Sequence, residues 1–72
     1  MNFNIYDIVV ITKISNEENR VFLQKEAVIV EKLDKDSYLL EIITEDDDMP
    51  YVVAKKDEIE KIWDSISKKY VE

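Results

Sequence analysis

The chain has 72 residues, 46% of them hydrophobic, and contains no Cys, His or Gly. This length fits one small domain, residues 1–72, near the lower limit for a self-supporting core. The missing Cys and His exclude disulfides, the usual zinc sites, thiol nucleophiles and His-dependent triads.

The balance of charge is acidic. Asp and Glu number 17 against 10 Lys and Arg, which gives a net charge of −7. An acidic domain is repelled by phosphate backbones and anionic lipid. We therefore expect a basic protein partner rather than nucleic acid or a membrane.

Targeting signals are not recognisable in the sequence. The start lacks the basic segment and long apolar stretch of a signal peptide, and apolar runs such as 8–11 are too short to span a bilayer. The absence of Cys is typical of the cytosol, so we expect a cytoplasmic protein. Abundant Ile and Lys without Gly is typical of AT-rich genomes, which indicates a low-GC bacterium or its phage as the source.

Four strands are predicted in the first 54 residues. The segment 6–14, YDIVVITKI, is rich in β-branched residues and predicts the first strand. A polar loop follows at 15–20, and we expect the apolar patch 21–23 to return to the core. The second and third strands, 27–33 and 37–43, flank a turn rich in Asp and Ser. Pro50 opens the fourth strand, where a missing N–H does least harm.

In the last segment, the spacing of the apolar residues changes from that of a strand to that of a helix. Its apolar residues recur at helical spacing, namely Ile59, Ile62, Trp63, Ile66 and Tyr70. Asp57 followed by Glu60 resembles a capping box, and Lys68 and Lys69 suit the negative end of a helix. The pattern predicts a helix over 57–70.

An alternative for this segment is one 3₁₀ turn at 57–60 followed by a short fifth strand through Ile62. The sustained apolar period favours the helix over this alternative.

The order of these elements is similar to that of a known group of domains. "YDIVVIT", a polar loop, "LQKEAVIVEKLDKDSYLLEI" and "PYVVAKKDEIEKI" together resemble small bacterial SH3-like barrel domains of unassigned function, related to ribosomal KOW modules and the nitrile hydratase β-subunit. The resemblance covers residues 5–62. With the helical pattern, it implies a mostly-β, SH3-like barrel of four to five antiparallel strands over about 5–56 and a C-terminal amphipathic helix.

The chain departs from that pattern where KOW modules approach RNA. Such domains usually carry a glycine pair around the start of the second strand, where this chain has Lys25, Glu26 and Ala27. We also expect it to lack the basic and aromatic surface needed for phosphate contacts and base stacking. We therefore expect the central hairpin to be scaffold rather than an RNA-binding element.

The acidic run Glu45, Asp46, Asp47 and Asp48 is the sharpest local feature. Clustered carboxylates attract hard cations, but a Ca²⁺ loop needs alternating ligands and a glycine turn, and this run has neither. We expect no metal and no cofactor here. We interpret the run first as a solvated acidic loop, because charge runs usually remain in water, with a docking surface for a basic partner as the alternative.

Trp63, the lone Trp, shares the predicted helical face with Ile59 and Ile66. We predict that it packs the helix onto the barrel, and the alternative is an anchor in a partner's pocket. The four tyrosines are expected to be partly buried with exposed hydroxyls, and several exposed together would favour a binding surface.

No catalytic constellation is recognisable, because the serines lie in polar segments without an evident base. We predict a non-catalytic, acidic protein-interaction module, a description that an inhibitor, an immunity-type protein or a phage accessory protein would fit. The alternative is a divergent nucleic-acid-binding KOW-like barrel. A contiguous basic stripe formed by Lys13, Lys55, Lys56 and Lys61 would favour it. The sequence leaves a homo-oligomer open.

Neutralising the acidic run tests its role. Four adjacent like charges repel one another, so changing Glu45, Asp46, Asp47 and Asp48 to Gln or Asn should leave the free energy of unfolding equal or slightly higher at low salt. If the run docks a basic partner, the change should slow association and flatten its salt dependence. The measurement is a kinetic binding series at several salt concentrations. An unchanged association rate would contradict the docking role.

Overall fold

The computed structural model describes residues 3–14, 17–44 and 50–71. Six strands form one antiparallel sheet: β1 (Ile8–Ile11), β2 (Glu26–Lys32), β3 (Ser37–Ile42), β4 (Tyr51–Lys55), β5 (Ile59–Asp64) and β6 (Lys69–Tyr70). Two 3₁₀ helices, Glu17–Phe22 and Lys56–Glu58, lie between β1 and β2 and between β4 and β5. None of the helices in these ranges has the length and apolar character needed to cross a bilayer.

The strand order in the sheet is β4-β3-β2-β1-β5-β6. Strands β2, β3 and β4 form a meander, β1 pairs with β2, and β5 returns to pair with β1. Strands β4 and β6 are the two edges and do not pair with each other. The sheet is therefore open.

The predicted SH3-like barrel with a C-terminal helix is wrong. The chain is mostly β, but its sheet is open, and no α-helix occurs in the described parts of the chain. The segment predicted as a helix over 57–70 contains most of a 3₁₀ helix, strand β5, a turn and strand β6. The less favoured alternative, a 3₁₀ turn followed by a fifth strand, is closer to the observed structure.

A β-bulge explains why the period of this segment misled the prediction. Val9 pairs with Lys61 but Ile8 pairs with Trp63, so β5 carries one extra residue, Ile62, at this point. An extra residue reverses the alternation of a strand between its two faces. Ile59 consequently faces the core while Trp63 faces the opposite side, and their spacing of four imitates a helix.

Every core residue in the strands lies on one face, which we call the inner face. Alternate residues of the strands are buried there, and Phe3 joins them from the segment before β1: Phe3, Val9, Ile11, Ala27, Ile29, Tyr38, Leu40, Ile42, Val52, Ala54 and Ile59. This period of two is expected for a sheet with one face on the core. Of the patch 21–23, only Phe22 packs against the core, since Val21 and Leu23 are exposed.

Phe3 closes the inner face between distant strands. Its ring meets that of Tyr38 on β3 edge to face at 5.5 Å, and the Nζ of Lys61 on β5 lies 5.8 Å from its centroid. Strands β3 and β5 are separated by two other strands in the sheet. The sheet must therefore bend around Phe3, because no second layer of the described chain covers the core.

Among the described residues of this glycine-free chain, three take positive φ: Tyr6 (75°), Gln24 (67°) and Lys68 (58°). Lys68 ends the β5–β6 turn, where its N–H donates to the carbonyl of Asp64 at 2.7 Å. A side chain with Cβ costs about 1–2 kcal/mol in the left-handed region, and glycine removes most of that cost.

Replacing Lys68 with Gly should therefore stabilise the fold. We expect a gain of about 0.5–1 kcal/mol in the free energy of unfolding. The backbone strain relieved in the folded chain exceeds the entropy that glycine adds to the unfolded chain. Urea unfolding measures this. Lys69→Gly, at the neighbouring exposed strand position, is the matched control and should destabilise the fold. A loss of stability in Lys68→Gly equal to that in Lys69→Gly would contradict this account.

Candidate functional site

A buried carboxylate lies where the N-terminal segment meets β5. The side chain of Asp7, directly before β1, has no solvent exposure. Its Oδ2 accepts the N–H of Asn4 at 2.7 Å and lies 2.9 Å from the Nζ of Lys61, and its Oδ1 accepts the N–H of Ser65 at 2.7 Å. The Ser65 hydroxyl donates to the carbonyl of Ile5 at 2.9 Å. These bonds fasten the N-terminal segment to β5 and to the turn after it.

The charge state of Asp7 follows from these contacts. Burial raises the pKa of Asp7, but the N–H donors of Ser65 and Asn4 and the Lys61 ammonium outweigh burial, so the pKa lies below the ordinary 3.8. Lys61 is itself only 8% exposed and also lies 3.7 Å from a carboxylate oxygen of Asp64. The Asp7 carboxylate is thus satisfied by partners within the fold, which fits a structural role better than a catalytic one.

The face opposite the core, which we call the outer face, carries a continuous row across all six strands. Directly paired residues of antiparallel strands project to the same side. The pairings Tyr70–Trp63, Trp63–Ile8, Ile8–Val28, Val28–Glu41 and Glu41–Tyr51 link β6 to β4 in one line. At about 4.8 Å per strand, this central row is about 24 Å long.

Aromatic residues mark both ends of the central row. Tyr70 is 77% exposed, Tyr51 is 61% exposed, and Trp63 is half-buried beside Tyr70. Tyr6 is also exposed, whereas Tyr38 belongs to the core. The predicted packing of Trp63 within a helix is therefore wrong, since the ring lies on the outer face of β5.

Carboxylates flank the central row. Val10 on β1 pairs with Glu60 on one side and with Glu26 on the other, and Glu31 pairs with Leu39 of β3. Together with Glu41 of the row itself, the outer face thus carries four glutamates. Within the described strands, Lys55 is the only basic residue on this face. The outer face therefore combines apolar and aromatic groups with a clear excess of negative charge.

The four predicted docking residues, Glu45, Asp46, Asp47 and Asp48, lie outside the residues that the structure describes. The outer-face glutamates were missed by the sequence analysis. The alternation of Glu26 and Glu41 with buried residues in their strands is a usable signal for the face on which they lie. Their alignment beside the aromatic residues depends on the strand register, which the sequence does not display.

The proposed basic stripe does not form a contiguous surface. Lys61 is buried on the inner face against Asp7, and Lys56 makes an ion pair with Asp36 at 3.2 Å. Lys13 and Lys55 line a shallow groove that also contains Asp57 and Glu58. Cations at these positions are thus buried or accompanied by carboxylates, which leaves no uninterrupted track for phosphates.

A groove of about 600 Å³ lies beside β5, with Phe3, Ile59 and Val71 as its apolar wall and Lys56, Asp57, Glu60 and Lys61 as its charged wall. Two of the charged groups, Lys56 and Lys61, are held in ion pairs. In the described part of the chain, no buried side-chain N or O lacks a hydrogen-bond partner, and no three potential metal ligands are grouped. The groove thus offers no unpaired set of buried polar groups for acid–base chemistry.

No family model, curated protein or solved structure matches the chain. Any functional inference consequently rests on the chemistry of the surfaces described above.

The buried ion pair of Asp7 and Lys61 predicts that Asp7→Asn strongly lowers the free energy of unfolding. The substitution removes the charge of a buried ion pair whose oxygens also accept the N–H groups of Asn4 and Ser65, and should cost about 3–5 kcal/mol of unfolding free energy. Asp36→Asn, which removes the exposed pair with Lys56, is the matched control and should cost less than about 1 kcal/mol. Urea unfolding at neutral pH compares the two variants, and equal losses would contradict the role assigned to Asp7.

The same carboxylate should contribute to acid unfolding. Because the pKa of Asp7 is lower in the folded chain, its contribution is complete above about pH 4 and is lost as the pH falls through the folded pKa. The stability difference between wild type and Asp7→Asn should therefore be constant above pH 4 and narrow below it. A difference that stays constant down to pH 2 would contradict the depressed pKa.

Proposed function

We propose that the chain is a non-catalytic, acidic protein-interaction module whose outer face occupies a basic surface of a partner protein. The observation that carries the proposal is the central row, with an exposed Tyr at each end and glutamates on both sides. An inhibitor, an immunity-type protein or a phage accessory protein would act in this way.

The chemistry of the outer face favours a protein ligand that carries Arg or Lys. Tyr and Trp are frequent binding hot spots because they bury a large area at little entropic cost. Their ring faces attract cations, and Arg and Lys approach them readily. Carboxylates beside the rings, such as Glu41 next to Tyr51, would add direct charge pairing and accelerate encounter with a basic surface.

The same features disfavour the nucleic-acid alternative. Aromatic residues on a sheet can stack with bases, but such surfaces accompany them with cations that follow the phosphates. Here the residues that flank the central row are glutamates, and the side chain of Lys61, which belongs to the suggested basic stripe, is buried. The partner we propose is accordingly a protein.

The charge of the outer face provides the test. We compare two variants with the same change in net charge: Glu26→Gln with Glu60→Gln on the outer face, and Glu17→Gln with Asp57→Asn in the 3₁₀ helices. All four side chains are exposed. Immobilised chain is incubated with lysate of the native host, and binding of the captured protein is then measured at several salt concentrations. We expect the outer-face variant to slow association several-fold and the control to retain it.

A second comparison tests the aromatic end of the row. Tyr70→Ser should weaken binding, whereas Val21→Ser, which is equally exposed but lies in the first 3₁₀ helix, should not. Circular dichroism confirms that each variant is folded. Capture of nucleic acid instead of protein, or equal behaviour of the matched variants, would contradict the proposed function.

A further inference from the structure

Strand β4 has one free edge with a defined set of backbone groups. The N–H of Ile42 donates to the carbonyl of Pro50 at 3.0 Å, and the N–H of Lys56 donates to the carbonyl of Asp36 at 2.8 Å. No register shift interrupts the β3–β4 pairing between them. Residues 50, 52, 54 and 56 therefore direct their backbone groups toward β3, while Tyr51, Val53 and Lys55 direct theirs away from the sheet.

With respect to the described parts of the chain, two residues of this edge keep both backbone groups available. The N–H of Lys55 is occupied, since it donates to Oε1 of Glu58 at 2.9 Å. For Tyr51 and Val53, no backbone bond on the outward side is formed with any described residue. Their two N–H and two C=O groups form a short template for another strand.

Little protects this edge against an added strand. Natural edge strands are usually blocked by a proline, charged side chains such as Lys, an inward-pointing charge, a bulge or very short length. Of these, β4 carries only Lys55, at its C-terminal end. The inward residues of β4 are Val52 and Ala54, its pairing has no bulge, and Pro50 precedes the strand rather than interrupting it. The opposite edge, β6, has only two residues. The two edges of the sheet are therefore not equivalent.

We infer that an extended, basic segment of the partner protein pairs with the free edge of β4 as a seventh strand. This inference rests on the proposed function and deepens it by naming the form of the ligand. Strand addition supplies affinity through the main chain and selectivity through alternate side chains. Antiparallel pairing is expected, since it is the more stable arrangement and the one found throughout this sheet.

The side chains beside the edge indicate the chemistry of that segment. In an antiparallel pair, residues opposite Tyr51 and Val53 project onto the outer face, where both side chains are more than half exposed. Their neighbours on this face include Glu41, which pairs with Tyr51, and Leu39, which pairs with Val53. An Arg or Lys side chain opposite Tyr51 or Val53 can therefore reach the Tyr51 ring and the Glu41 carboxylate. The intervening residues lie beside Val52 and Ala54 and should be apolar.

A capped seven-residue peptide of alternating Arg and Val is the probe, and no protein variant is needed. One version is N-methylated at the Arg residues, whose N–H groups face β4 in the antiparallel arrangement, and another at the Val residues, whose N–H groups face solvent. Titration against the full chain should show binding of the parent peptide. Methylation at Arg should weaken binding about tenfold or more, as expected for two lost hydrogen bonds, and methylation at Val should have little effect.

Amide hydrogen exchange provides the independent measurement. The amides of Tyr51 and Val53 should exchange rapidly in the free chain and become protected when the parent peptide is bound, whereas that of Val52, already paired with β3, should change little. Sensitivity to one methylated set together with this protection supports the inference.

Three outcomes would overturn it. They are no binding of the parent peptide, equal effects of both methylated sets, and protection of Tyr51 and Val53 without peptide in a dimer of the chain, which would make a second copy the occupant. The matched glutamate variants then decide separately whether the outer face still binds a basic partner, so failure of this inference can be distinguished from failure of the proposed function.

Discussion

The inner face of one sheet holds the core of the described chain, and neither a second sheet nor an α-helix layer covers it. This face can leave water only if the sheet bends over it and the chain segments around the strands close the remaining gaps. Phe3 does so from the N-terminal side by contacting Tyr38 on β3 and the ammonium of Lys61 on β5. The ion pair of Asp7 with Lys61 then fixes that segment to β5. The bent sheet and the buried ion pair consequently act together to keep water away from the inner face.

The same constraint determines what the outer face can do. A sheet that bends around its own core leaves its other side without a covering layer, so residues on that side can contact another molecule. The aromatic and apolar residues of the central row occupy this side, and glutamates rather than lysines accompany them. Acidity in this chain is therefore positioned beside the aromatic and apolar groups of the outer face.

The sequence allowed the first four strands to be placed within a few residues, because strong alternation and β-branched residues mark β1 to β4. It failed for the last segment for a definable reason. The bulge at Ile62 turns Trp63 to the outer face, and Ile66 lies exposed in the turn before β6. The regular apolar spacing thus combines a core residue, a bulge, an outer-face ring and a turn residue.

Pairing partners were the information that the sequence lacked. Asp7 and Lys61 lie 54 positions apart, and their contact exists only because β5 pairs with β1. Lys61 was suggested as part of a basic surface stripe, and nothing in the sequence indicated that its side chain would be buried. The central row has the same origin, since its six members come from six strands and become neighbours only through the register.

The net charge of the chain influences which strands can approach the exposed edge of β4. A free edge bearing Tyr51 and Val53 would ordinarily favour pairing between identical copies, as the same edge presents the same unpaired groups. Two copies of this chain each carry a net charge of −7, so their approach is opposed over the Debye length of about 8–10 Å. A basic strand meets the opposite force at the same edge. On the proposed function, the acidity that disfavours self-association would therefore favour, among possible strands, those that carry Arg and Lys.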